Sequence, residues 1–306
     1  MDVAIAINNA YTEYAIILMV SLYENNKDLE IKFHILTNDL NPKNKSLILS
    51  YASKYNRIIY FHQIDDTEFK GLDESYSLIA YYRLLLPELI PGKKVLYLDT
   101  DIVINGSIKE LSKINIENYS LAAVRSSIND DNERYNRLKL SPKNGYFNSG
   151  VMLINLDYWR VNNIKKQVIE YLRNSQTKLV FPDQDALNVI NEHTKFFLPL
   201  KYNVIQTILE NPTFIKLHYS EVVECIENPI ILHYAGMKPW YIDEDFHFAS
   251  HIWHKYNSMS IKSKTKCHKK GIRKIIYILQ YYVIDRIARR NHNKRIIKEI
   301  IHSNIY

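Results

Sequence analysis

VLYLDTDIVI, residues 95–104, runs from four apolar residues into Asp99-Thr100-Asp101 and back into apolar ones. An unbroken apolar run of this length fits a strand buried on both faces, as in a parallel sheet covered by helices. Residues two apart in an extended chain project from the same face, so Asp99 and Asp101 converge. Converging carboxylates suit a hard divalent cation, which takes one or two of them and completes its shell with phosphate oxygens. Two solvated acids at a polar strand end would give the same pattern.

Working outward, DVAIAI (2–7), IKFHIL (31–36) and RIIYFHQI (57–64) predict three more strands. Between them, YAIILMVSLYE (14–24) predicts a helix, and Asn41-Pro42 has the cap-then-proline form of a second helix start. SLIAYYRLLLPEL (77–89) predicts a helix ended or kinked near Pro87. Strand alternating with helix predicts an α/β fold with a mostly parallel central sheet. Ligands of such sheets bind beyond the carboxyl ends of the strands, where Asn8-Asn9 and Asp99–Asp101 stand here. Downstream, SLAAV (120–124), GVMLINL (150–156) and NPIILHYAG (228–236) predict strands. NIKKQVIEYLRN (163–174) and FPDQDALNVINE (181–192) predict helices.

His233 ends a predicted strand in ILHYAGMKPW. An imidazole joining two carboxylates makes a mixed nitrogen and oxygen site, which suits Mn2+ better than Mg2+; a satisfied core histidine is the plainer alternative. Gly236 allows close backbone approach to a ligand, and Lys238 suits a phosphate or a solvated surface. Asp183-Gln184-Asp185 opens a helix, where capping needs one acid and leaves the other to be explained. Arg83 lies within apolar IAYYRLLL, so it either snorkels to the surface or is buried against an anion, Asp99, Asp101 or a ligand phosphate.

The chain of 306 residues is 46% apolar and 24% charged, a globular composition large enough for a sizeable core. Cys225 and Cys267 lack any CxxC partner and predict unpaired thiols in a reducing compartment. MDVAIAINNAY has no basic n-region, and there is no run of 18 apolar residues. The net charge of +7 is uneven: residues 262–306 hold 13 Lys/Arg against Asp285 and Glu299, while the remainder is mildly acidic. The division near position 260 predicts a body (1–260) and a basic amphipathic C-terminal segment (261–306). Within that segment Arg286, Arg289, Arg290 and Asn293 form one helical stripe, and Tyr277, Tyr281 and Tyr282 suit a headgroup interface. Residues 262–306 thus predict an anionic membrane surface as partner; a C-terminal helix hairpin packed on the body is the plainer alternative. The run IIYILQYYVI (275–284) argues against nucleic acid. The protein is expected to be cytoplasmic, peripheral on the cytoplasmic face of the membrane.

Together, YxRL at Arg83, VLYLDTDIVI, YFNSGVMLINL (146–156), DQDALN (183–188) and HYAGMKPW (233–240) resemble glycosyltransferase family 8, most closely its lipooligosaccharide and lipopolysaccharide α-galactosyl- and α-glucosyltransferases. The resemblance covers roughly residues 1–260. It implies a nucleotide-diphospho-sugar transferase (GT-A-like) fold and retaining hexosyl transfer from UDP-galactose or UDP-glucose to a glycolipid, oligosaccharide or surface-polysaccharide hydroxyl. It also implies Asp99, Asp101 and His233 as Mn2+ ligands, with Mg2+ as second choice. Gly236 and Lys238 would contact the diphosphate, Tyr11 would stack on the nucleobase, and Ala6 and Asn8 would line the same pocket. Thr100, Arg83, Asn148 and Ser149 would join the donor site, with Asp183 and Gln184 as catalytic candidates, Gln184 nearest the anomeric carbon. The family usually carries an acid where Asn8 stands. Two rival readings accompany this one. A haloacid-dehalogenase-like phosphatase would use Asp99 as nucleophile with Mg2+, although no later GDxxxD pair is visible. The other is an inactive sugar-nucleotide-binding protein.

Overall fold

A computed structural model describes residues 1–72, 77–127, 132–241, 247–264 and 266. Nine strands are present among them: β1 (Asp2–Ala6), β2 (Lys32–Thr37), β3 (Ile59–Gln63), β4 (Lys94–Leu98), β5 (Ile102–Ile104), β6 (Leu121–Arg125), β7 (Phe147–Asn155), β8 (Lys195–Leu198) and β9 (Ile231–His233). Seven form one sheet in the order β3-β2-β1-β4-β7-β6-β8, and β5 pairs with β9 in a second, two-stranded sheet. In the large sheet β1–β2, β2–β3, β1–β4 and β6–β8 are parallel, while β7 runs antiparallel to both its neighbours. The expected α/β architecture with a mostly parallel central sheet is therefore present.

Apolar residues cover both faces of the sheet, which is why its strands read as unbroken apolar runs. Val3, Ile5, Phe33 and Leu96 pack into one core with the helix Thr12–Asn25. Ala4, Ala6, Leu36 and Tyr97 face a second core with Tyr81, Tyr82 and Trp159. The helix Thr12–Asn25 also secures β5. The Ile104 N–H donates to Ser21 Oγ at 2.9 Å, and Asn25 Nδ2 donates to the Ile104 carbonyl at 2.9 Å. These two bonds dock the far end of β5, and with it the small sheet, against the helix. The second helix starts as expected at Asn41-Pro42: Asn41 Oδ1 accepts from the Asn44 N–H at 2.8 Å, and Pro42 occupies the first turn.

Two features go beyond the sequence reading. Residues 78–85 wind as a 3-10 helix rather than an α-helix. Pro87 has no N–H to give the Arg83 carbonyl, and the Leu86 N–H takes that acceptor one residue early. The break expected near Pro87 is present: the winding changes at Leu86, and Pro87 sits in the first turn of a short α-helix, Leu86–Leu89, where the segment ends. Strand β8 was not apparent in the sequence; KFFL is only four residues long and half-buried.

Cys225 is a buried free thiol whose pKa burial pushes up to about 12. Cys267 and the stripes expected within 267–306 lie outside the described residues. Among the described residues no helix is long and apolar enough to cross a membrane.

Candidate active site

The carboxyl ends of β1 and β4 open onto a cavity of about 510 Å3. Beyond β4, the Asp99 N–H donates to the Gly150 carbonyl of β7 at 2.8 Å, and the chain turns before β5 begins. The pairing of β5 with β9 sets Ile102 opposite His233, and the Tyr234 N–H donates to the Asp101 carbonyl at 2.9 Å. Backbone register, not sequence proximity, thus brings the histidine to the acids. His233 Nε2 lies 3.2 Å from Asp101 Oδ1 and 3.9 Å from Asp99 Oδ2. One ligand atom from each of the three residues lies within 4.8 Å of the others.

The chemistry around this cluster fits a divalent cation. His233 Nδ1 is 2.9 Å from Asn203 Oδ1, while Asn203 Nδ2 donates to Asn148 Oδ1 at 2.8 Å. An amide oxygen can only accept, so Nδ1 donates to it, and Nε2 is the ring nitrogen that faces the carboxylates. One imidazole nitrogen and two carboxylates converging on a point is a donor set that a divalent cation takes. Clearance comes from Gly150, where an added Cβ would overlap the His233 ring and come within 2.8 Å of Asp99 Oδ2.

Arg83 is buried, as one of its two sequence readings required. Its Nη2 donates to Asp99 Oδ1 at 3.0 Å, its Nη1 to the Ser149 carbonyl at 2.8 Å and its Nε to the Ala80 carbonyl at 2.8 Å. Asp183 Oδ2 lies 3.5 Å from Nη1, and the Tyr97 ring lies 4.3 Å from the guanidinium carbon. Burial raises the pKa of Asp183 and the Asp99 charge pushes it further, while Arg83 opposes both. At Asp101 burial also acts upward, but Lys238 and His233 outweigh it and hold the carboxyl far below the usual range. Lys238 Nζ donates to Asp101 Oδ2 and, at 3.0 Å, to the Tyr234 carbonyl. Gly236, in the same loop, has φ +82°, a conformation that L side chains rarely adopt.

The helix Pro182–Ile190 divides its acids. Asp185 serves the helix start, accepting from the Val180 N–H at 2.9 Å, with Arg137 Nη1 at 3.1 Å and the Tyr146 hydroxyl donating at 2.6 Å. Asp183 and Gln184 are left to the cavity. Gln184 Oε1 accepts from the Ser149 N–H at 3.0 Å and from Asn148 Nδ2 at 3.2 Å, and Nε2 donates to the Tyr146 hydroxyl at 3.1 Å. The amide is held at both ends.

The metal, donor-site and catalytic candidates named from the sequence all line this one cavity: Ala6, Asn8, Tyr11, Arg83, Asp99, Thr100 and Asp101 from the first half, and Asn148, Ser149, Asp183, Gln184, His233, Gly236 and Lys238 from the second. Tyr11 lies at its exposed rim. Asn8 Oδ1 accepts from the Ala10 N–H at 3.0 Å, capping the turn that presents Tyr11. Sequence reasoning missed Tyr97, Asn203 and Asn188. Tyr97 reads as strand core. Asn203 stands alone in an irregular stretch. Asn188 bonds both backbone groups of Phe147 at 2.8 and 2.9 Å; its signal was an amide within the apolar side of DQDALN.

A family model described as glycosyl transferase family 8 matches residues 2–244. Over 265 residues the chain is 32% identical to a lipopolysaccharide 1,2-glucosyltransferase of Escherichia coli, covering 84% of this chain and 78% of the relative. It is 29% identical over 233 residues to a lipopolysaccharide 1,3-galactosyltransferase of Salmonella typhimurium, covering 71% of this chain and 66% of the relative. The solved structure of the galactosyltransferase LgtC with donor and acceptor sugar analogs superposes with a TM-score of 0.74 at 22% identity. That superposition covers 90% of this chain and all of the other, and shows a shared GT-A-like fold. The phosphatase alternative finds no support among these relatives.

Proposed function

Because the chain belongs to glycosyltransferase family 8, we propose that it transfers galactose or glucose from a UDP-sugar to a hydroxyl of a glycolipid or surface polysaccharide, with retention at the anomeric carbon. The observation that carries this reading is the cluster Asp99, Asp101 and His233, which lines the same cavity as Arg83, Gln184, Gly236 and Lys238. These three residues would hold Mn2+, or Mg2+ as second choice. The cation would neutralise negative charge gathering on the departing diphosphate.

The chain's own groups do the rest. Lys238 adds a cation beside the Asp101 carboxylate, where diphosphate oxygens would lie. Tyr11 offers a ring at the rim for the base, and Gly236 allows backbone to approach the phosphates. Arg83 bridges Asp99 and Asp183, orienting both and offsetting their charge. Gln184 bears on stereochemistry. Its carbonyl oxygen already accepts two hydrogen bonds, and an amide is a weak nucleophile, so it is suited to positioning the sugar rather than attacking it. Same-face attack follows. The acceptor oxygen bonds to the anomeric carbon, the bond to the diphosphate oxygen breaks, and the acceptor proton passes to that leaving oxygen. The relatives include both a glucosyl- and a galactosyltransferase, so the donor hexose stays open between the two. A peripheral position on anionic membrane, through 262–306, belongs to the same reading.

The test is UDP release from UDP-galactose and UDP-glucose with Mn2+ and with chelator, beside p-nitrophenyl phosphate as a phosphatase substrate. One UDP-sugar should be turned over only with metal. Asp101→Asn should lower the rate by about a hundredfold or more, and intact-mass measurement during turnover should find no hexosyl adduct. Phosphatase turnover or metal-independent release would overturn the reading, and an adduct on Gln184 would overturn same-face attack.

A further inference from the structure

Two segments distant in sequence carry the candidate contacts for the two ends of a nucleoside diphosphate. Tyr11 precedes the helix Thr12–Asn25, and Lys238 sits in the loop after β9. They meet through aromatic rings: Tyr14 stacks on Trp240 with centroids 3.9 Å apart and planes 17° apart, and Tyr11 lies edge-on to Tyr14 at 5.6 Å. Lys238 Nζ is 5.8 Å from the Trp240 ring centroid. Across this junction lie Ser263 and Lys266, at the root of the basic segment. Ser263 is fixed to the preceding helix, its N–H donating to Asn257 Oδ1 at 2.7 Å and its carbonyl accepting from Asn257 Nδ2 at 2.9 Å. Its Oγ donates to Glu13 Oε2 at 2.5 Å. The Lys266 N–H donates to the Trp240 carbonyl at 2.6 Å, and its Nζ donates to the Tyr14 hydroxyl at 2.9 Å. Lys266 therefore bonds one partner on the helix and one on the loop, and Ser263 adds a second bond to the helix.

We propose that Ser263 and Lys266 are positioning residues for the UDP-sugar, a strap that fixes the span between Tyr11 and Lys238 and so the register of base and diphosphate in the cavity. Neither lines the cavity, and their partners are polar atoms around a buried tryptophan that is packed without them. What the strap adds is a fixed relation between helix start and loop. Gly236, with no neighbour within 4 Å of an added Cβ, leaves the loop a pivot that the strap restrains. The inference rests on the donor-site reading given above.

The test uses the full chain with Mn2+. Lys266→Met keeps the aliphatic stem and loses the bond to Tyr14; Lys266→Pro also loses the backbone bond to Trp240. The KM for UDP-sugar should rise about fivefold for the first and about tenfold or more for the second, with kcat within about twofold of wild type. Lys266→Arg, which can still donate to Tyr14, should stay near wild type. Wild-type KM in both Met and Pro variants, while Lys238→Ala raises it, would overturn the strap alone. Wild-type KM in Lys238→Ala as well would overturn the donor-site reading and the strap with it.

Discussion

Gly150 has no functional atoms in its side chain, yet it sets the space in which Asp99 and His233 meet. Adding one methyl group there pushes the imidazole away from the carboxylates, and the neighbouring bond from the Asp99 N–H to the Gly150 carbonyl gives the backbone little room to yield. Gly150→Ala should therefore lower Mn2+ affinity by about tenfold to a hundredfold, the range seen when the support of a metal ligand is lost. Metal-dependent UDP release should fall with it, while far-ultraviolet circular dichroism is unchanged. Titration with Mn2+ followed by electron paramagnetic resonance measures this directly, and wild-type affinity would show that the ring has room to move. The sequence displayed Asp99 and Asp101 because a strand interrupted by two acids is conspicuous, and His233 because it ends another apolar run. It did not display Gly150 as a clearance or Asn203 as the partner of His233. Those roles arise from the β4–β7 pairing and the approach of residues 203–204 to β9, which no local pattern encodes.

At the scale of the element, legibility followed burial. β1, β2 and β4 are covered by the two cores, so their composition announced them. β8 lies at the sheet edge with Phe196 exposed, and its pattern is too weak to read. The 3-10 winding of residues 78–85 is not revealed by apolar periodicity; Pro87 accounts for its last turn, where the Leu86 N–H takes the Arg83 carbonyl. Strand β8 also contains a testable strain. Burial lowers the Lys195 pKa to about 8, although Glu192 acts to raise it, and its Nζ donates to the Glu192 carbonyl at 2.7 Å. An unfolded lysine titrates near about 10.4, so between about pH 8 and about pH 10.4 the unfolded chain holds more protons and stability rises with pH. Below that window the folded state bears the cost of a partly buried ammonium, reduced by its contact with water. Lys195→Met should raise the Tm at pH 7 by about 2 °C and flatten the rise in stability between about pH 8 and about pH 10. Denaturant titrations across that range that retain the wild-type slope would place the titrating group elsewhere.

At the scale of the whole molecule, charge and attachment divide at different places. Ten of the 13 basic residues in 262–306 lie beyond Lys266, whereas Ser263 and Lys266 are bonded to the body. A division at position 260, drawn from composition alone, assigns the strap to the basic segment, although its bonds are to the body. Two truncations separate the roles. Ending the chain after Lys266 removes the ten basic residues and keeps the strap; ending it after Ile261 removes both. Each should lose sedimentation with phosphatidylglycerol vesicles, because electrostatic attraction to anionic lipid scales with the number of Lys/Arg near the surface. Only the shorter chain should show a donor KM raised about tenfold, since it alone lacks the bonds to Glu13, Tyr14 and Trp240. Binding of the full chain should weaken as salt is raised, because the Debye length shrinks from about 10 Å at 0.1 M to about 3 Å at 1 M. A chain ending at Lys266 that sediments like the full chain would assign lipid attraction to the body. A chain ending at Ile261 with wild-type donor KM would show that residues 262–306 have no part in donor binding.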